Sequence, residues 1–224
     1  PVRAIELQLE PAYFVGIKAL HENRVVPTLV ARGTQCRKEF WGNIDALGGI
    51  GYGGDERPDL SNAYMAIEGL RATSLDPDDP VWEKALLFVS RSQNHSETND
   101  QAWAANDGGF AYMPGYSPNG GEGSTISYGG MTAAGLLSLL FAGVDKDDER
   151  IRAAYNWIQQ NYTLDQNPGA DGGTQGLYYY YNVFAKSMAA YDADTLVDAD
   201  GVVDDHRRLV DLVQREIGNA GDVD

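Results

Sequence analysis

Cysteine is nearly absent from this chain: its 224 residues contain one, Cys36. A single thiol excludes an internal disulfide and leaves the redox compartment open. Histidine is almost as scarce, with His21, His95 and His206 scattered along the sequence. No pair of them has ligand spacing, and Cys36 sits in Thr34-Gln35-Cys36-Arg37 without an Asp two residues earlier. That excludes a zinc set built from thiolate and imidazole, and the expectation is no metal and no cofactor. Positive charge is short as well, since 17 Lys and Arg against 33 Asp and Glu give a net charge of −16. The basic face required by nucleic acid or an anionic membrane is missing, and an acidic, solvated surface is expected instead. Long apolar runs are lacking too. The longest, Met131 to Val144, is broken by Thr132 and Ser138 and falls short of the ~18 residues of a membrane span. There is no Gly-x-Ser-x-Gly nucleophile motif. The Gly-rich loops follow no strand pattern, which removes phosphate-cradle readings. No signal-peptide pattern is visible and the chain opens at Pro1 rather than Met, so the expectation is a trimmed piece of something longer.

What the chain does have is repetition. Gly48-Gly49-Ile50-Gly51-Tyr52 is echoed by Asp107-Gly108-Gly109-Phe110-Ala111-Tyr112. Met65-Ala66-Ile67-Glu68-Gly69-Leu70 is echoed by Met131-Thr132-Ala133-Ala134-Gly135-Leu136, and Asp78-Asp79-Pro80-Val81-Trp82 by Asp147-Asp148-Glu149-Arg150-Ile151. The offsets, 60, then 66, then 69, drift because the second copy carries longer loops. A constant order of turn, helix, turn, helix is one supersecondary unit used again.

The two helices of a unit differ. Residues 61–73 and 128–141 are apolar on nearly every side and must be surrounded by protein. Trp82, Ala85, Leu86 and Val89, and again Ile151, Ala154, Tyr155 and Ile158, form i, i+3, i+4, i+7 stripes on helices whose other faces are charged or amide-bearing. Buried helix then half-polar helix predicts two concentric helical layers. A third unit runs from Gly172-Gly173 through a helix over about 178–191 and an Asp-rich loop to an amphipathic helix bearing Leu209, Leu212 and Val213. Ala12 to Leu20 reads as a further buried helix. The units span about 48–106, 107–171 and 172–218, with 1–47 a less regular leading hairpin, in one domain over 1–224. Asp59 or Ser61 is expected to cap the first buried helix. Asp78 or Asp79 is expected to cap its partner, with Pro80 early in it.

These residues resemble the repeat of the squalene–hopene cyclase and protein prenyltransferase superfamily. Its motif sets a Gln at the end of an outer helix before a turn of Asp-Gly-Gly and an aromatic. Here Phe88 to Asn94 supplies Gln93, and after an insertion Asp107-Gly108-Gly109-Phe110 supplies the turn. Gly49 to Gly53, followed by Pro58-Asp59-Leu60-Ser61-Asn62, also looks like the approach to an inner helix of that repeat. The resemblance covers roughly 45–215 and implies an all-α fold: an α/α toroid of helical hairpins, apolar helices inside and amphipathic ones outside. Complete toroids hold more hairpins than this chain can. It therefore implies a fragment or partial barrel, closed by further repeats or by a partner chain. The Trp expected at the end of the turn is Tyr52 or Phe110 here.

Class II terpene cyclases begin with an Asp-x-Asp-Asp motif whose acid protonates an alkene, and Asp76-Pro77-Asp78-Asp79 matches that string. Asp145-Lys146-Asp147-Asp148 matches it in the next unit, again just before an amphipathic helix. Duplication at that place points to helix capping, because a protonated acid needs a dry apolar cavity. Asp59, before a buried helix, is the candidate catalytic acid, with capping as its structural alternative. Asp107 is expected to tie down its Gly-Gly turn, and Glu122 is a further acidic candidate. Tyr64, Tyr128, Tyr178 and Tyr181 are the candidate substrate-binding residues, since their rings could hold an apolar or isoprenoid small molecule or steady a carbocation. Packing between helix layers is the alternative. Consecutive positions turn about 100°, so Tyr178 to Tyr181 cannot all face one cavity. Three functions stay open: a metal-independent isoprenoid cyclase, a non-catalytic binding or scaffold module on the same toroid, and a carbohydrate-active toroid with paired carboxylates.

Overall fold

The computed structural model describes Gly49 and residues 58–72, 75–193, 195–197, 200–201 and 203–205. All of these lie in the second of the two units into which the chain divides, Asn43–Asp224. The leading hairpin over 1–47, Cys36, His21, His206, Tyr52 and the helix expected around Leu209 lie outside the described residues.

The described residues are mainly helical. They form α1 (Leu60–Arg71), α2 (Pro80–Arg91), α3 (Gly129–Phe141), α4 (Glu149–Asn161) and α5 (Leu177–Tyr191), then a small hairpin of β1 (Thr195–Val197) and β2 (Val203–Asp205). Among them no helix is long and apolar enough to cross a membrane.

Each of the two amphipathic helices starts on a carboxylate. Asp79 caps α2 by accepting from Val81 N, with Pro80 in the first turn where a missing N–H costs nothing. Asp148 caps α4 by accepting from Arg150 N. Their apolar stripes then turn to the core. Ala85, Phe88 and Val89 of α2 are buried, as are Ile151, Ala154, Trp157 and Ile158 of α4. The third helix differs. Small residues and leucines leave α3 without a polar face, and Gly129 through Leu139 are all buried. It packs against α1, α2, α4 and α5, and so forms the middle of the core. Each fully buried leucine there contributes about 1.5–3 kcal/mol of transfer free energy. On its flanks α1 and α5 are tied together by Lys186 Nζ, which donates to both carboxylate oxygens of Glu68 at 3.1 Å.

The repetition in sequence reappears as equivalent atoms. The first helices of the two units start at Leu60 and Gly129, the second ones at Pro80 and Glu149, and both spacings are 69 residues. Unlike α3, α1 is not surrounded by protein as expected, since one side of it is buried while Met65 and Arg71 are exposed. A Cβ on Gly49 would lie 2.5 Å from Pro58 Cβ and 2.6 Å from the Phe88 ring. A Cβ on Gly109 would lie 2.5 Å from Ser127 Cβ and 2.8 Å from Trp157 Nε1. Pro58 and Ser127, like Phe88 and Trp157, are again 69 apart, so both glycines serve the same close approach. The shorter offset of the glycines themselves is taken up by the longer stretch 110–126 in the second copy.

Two further expectations need correction. The pairing of Met65 with Met131 is out of register, because Met65 is 39% exposed and Met131 only 2%. A three-residue slip turns a helix by about 300°, close enough to a full turn for both registers to look apolar. Secondly, the Asp-rich segment after α5 is not merely a loop. Thr195, Leu196 and Val197 pair antiparallel with Asp205, Asp204 and Val203. β-Branched residues flank the turn, and Leu196 reaches the core, which favours a strand over a coil.

Candidate functional site

Where α1, α3 and α5 begin, their first turns and two loops border a cavity of about 220 Å³ that opens to solvent. Ser61 of α1, Tyr128 and Met131 of α3, and Gly176 and Tyr179 of α5 border it from the helices. Tyr112, Pro118 and Asn119 border it from the first loop, and Asn167, Ala170 and Gln175 from the second. None of these side chains is charged.

Asn167 holds one wall rigidly. Its Oδ1 accepts from Gly130 N at 2.9 Å, its Nδ2 donates to Gln175 O at 3.0 Å, and its backbone N donates to Gly173 O at 2.7 Å. Asn94 closes the previous unit in a similar way, its N donating to Gly109 O at 2.8 Å. The two loops at the rim clasp each other through Asp171. Its N donates to Asn119 Oδ1 at 2.9 Å, and its carboxylate accepts from Gly120 N at 3.0 Å. Asn119 is 97% buried, and its Nδ2 makes no hydrogen bond to the described residues. The Tyr128 hydroxyl likewise makes none. Burial pushes that phenol well above its ordinary range, and the nearby Tyr112, Asp59 and Tyr116 add to the shift.

Of the tyrosines expected at a site, Tyr128 borders the cavity. Tyr64 is buried just behind it, edge-on to Tyr179 with ring centres 6.5 Å apart. Tyr178 is 61% exposed and lies outside the lining. Tyr181 also lies outside, its hydroxyl donating to Leu164 O, and Tyr180 donates to Thr163 O at 3.2 Å. Within the run of four tyrosines, the helical turn brings only Tyr179 to this cavity.

Asp59 lies below Ser61 and is 1% exposed. Its Oδ1 accepts from Ser61 Oγ and from Asn62 N at 2.9 Å, and its Oδ2 accepts from Asn62 Nδ2 at 2.7 Å. It is therefore the N-cap of α1. The two Asp-x-Asp-Asp strings are superimposable turns: Asp76 Oδ1 accepts from Asp78 N as Asp145 Oδ1 accepts from Asp147 N, each followed by the caps Asp79 and Asp148. Asp107 ties its turn by accepting from Gly109 N at 2.8 Å and from Ser127 Oγ at 2.9 Å. Glu122 is exposed on the rim loop. Among the described residues no group of His, Cys, Asp and Glu is placed to hold a metal ion.

Sequence reasoning missed Tyr112, Asn119, Asn167, Gln175 and Tyr179. All but Tyr179 sit in loops, where no periodicity marks them. The one available signal was the recurrence of an Asn between a half-polar helix and a Gly-Gly turn, at Asn94 and Asn167. Comparison with family models, with curated proteins and with solved structures finds no match to this chain.

Proposed function

We propose that these hairpins are part of an α/α toroid of the terpenoid cyclase and prenyltransferase type, and that this chain uses it as a non-catalytic ligand-binding module. The observation that carries the reading is the chemistry of the cavity at the start of α1, α3 and α5. Its donors, the Tyr128 hydroxyl and Asn119 Nδ2, are nearly buried and unused by the described residues. A ligand that displaces the water these donors still reach must supply acceptors in its place. Among the described residues no carboxylate, nucleophile paired with a base, or metal set borders the space. Proton transfer to an alkene requires an acid with a free oxygen, whereas both oxygens of Asp59 are engaged as a cap.

One observation favours the second reading, a metal-independent cyclase: Asp59 is a buried carboxylate next to the cavity-lining Ser61. Incubating the protein with squalene and with prenyl diphosphates, then extracting products, separates the two. No turnover is expected. A cyclised product that disappears in Asp59→Asn would overturn the binding-module reading.

A further inference from the structure

Resting on that reading, we propose that the occupant of the cavity is a single neutral sugar ring, a pyranose unit free or at the end of a saccharide. Size sets the first limit. The cavity, about 220 Å³ and open to solvent, has room for one six-membered ring with its substituents and leaves the remainder of a longer ligand outside. Charge sets the second. An anion would enter without a counter-charge, since among the described residues no charged side chain lines the space, and the buried Asp59 beside Ser61 and the net charge of −16 further repel it. Diphosphates and carboxylates are thereby excluded.

The arrangement of polarity sets the third limit. Tyr128, Tyr179 and Met131 offer apolar surface, while Ser61, Asn119 and Gln175 offer hydroxyl and amide groups between them. A wholly apolar ligand would cover those polar groups without replacing their hydration. A pyranose has C–H faces for the rings and a rim of hydroxyls that both donate and accept. The Tyr128 hydroxyl and Asn119 Nδ2 are donors, and a sugar hydroxyl or ring oxygen accepts from them. Ser61 Oγ, which spends its proton on Asp59, is left as an acceptor for a sugar O–H.

The test is calorimetry and saturation-transfer NMR on the full chain with methyl glycosides of common hexoses, with geraniol, and with adenosine. At least one glycoside is expected to bind. Tyr128→Phe, which keeps the ring and removes only the hydroxyl, should weaken it about fivefold, and Tyr179→Ala about tenfold. Val197→Ala, an exposed change on β1, should leave binding unchanged. Circular dichroism confirms that each variant folds. Binding of geraniol or adenosine with no glycoside binding, and with the same loss in Tyr128→Phe, overturns the sugar assignment and leaves the binding-module reading standing. No binding by any of the three overturns both. Glycoside binding that neither tyrosine variant weakens overturns the placement in this cavity.

Discussion

Gln93, which follows α2, has no exposed surface, and its Nε2 donates to Gly108 O and to Arg150 O, each at 2.9 Å. One side chain therefore joins α2, the Gly-Gly turn and the first turn of α4. Its Oε1 has no partner among the described residues, so the stabilisation comes through the amide nitrogen. Replacing Gln93 with Leu strands two carbonyls in a dry place and is expected to cost about 2–3 kcal/mol, read as a lower midpoint in urea unfolding. Gln93→Glu should be worse at neutral pH, where a carboxylate would face those carbonyls, and should recover part of the loss once acidified. Recovery failing in acid would mean that the nitrogen's bonds are not what Gln93 contributes. The glutamine itself was legible as the end of a motif. Its acceptors were not, because Gly108 and Arg150 lie 15 and 57 residues further on.

At the scale of elements, the duplicated Asp-x-Asp-Asp turns allow a direct test of capping against chemistry. Asp79 and Asp148 accept from the backbone N two residues on, at 2.9 Å in both copies. Asp79→Ala and Asp148→Ala are each expected to cost about 1 kcal/mol, while Asp79→Asn should be nearly neutral, since an amide oxygen caps as well as a carboxylate. Asp148→Ala should also loosen Arg150, which binds that carboxylate at 2.8 Å and anchors to Ser90 Oγ at 3.0 Å. Thermal unfolding of the three variants decides it, and a large effect of Asp79→Asn would argue that the acid does more than cap. These helix starts were readable because a cap, an early Pro or Glu and an apolar stripe coincide within a few residues. The helices observed, Leu60–Arg71 and Gly129–Phe141, differ from the expected spans by one or two residues at their ends. The β1–β2 hairpin was not readable, since its three-residue strands sit among aspartates that signal turns. Nor was the cavity. It is formed by first turns and loops that are remote in sequence and share no period, and Tyr179 differs from its three tyrosine neighbours only in the angle at which it leaves α5.

For the whole molecule, charge and core pull in opposite directions. The packing of α3 against every other described helix binds them into one cooperative body, while a net charge of −16 on 224 residues pushes the compact state apart. Salt should relieve that push. At neutral pH, raising NaCl from about 0.05 to about 1 M shortens the screening length from over 10 Å to about 3 Å. If about 1 kcal/mol of repulsion is removed, the melting temperature should rise by about 2–4 °C. Acid should act in two stages. Neutralising the surplus carboxylates first lowers the repulsion. Lower still, the carboxylates that favour the folded state lose their charge. Asp100 is held down to about 2, chiefly by its hydrogen bonds from Arg91 and then from Gln101, against an ordinary 3.8. Asp148 is also held low, chiefly by Arg150. A carboxylate held below its unfolded value stabilises the fold above that value, and its contribution drains away as pH falls through the folded one. The acid loss should therefore begin near pH 4 and continue to about 2, and Asp100→Asn should remove part of it. With its carboxylate side chain 55% exposed, Asp100 supplies only a small part of the acid limb. Melting curves across pH at both salt concentrations test the balance. A melting temperature that falls with NaCl at neutral pH would mean that specific ion pairs, rather than surplus negative charge, dominate the electrostatics of this fold.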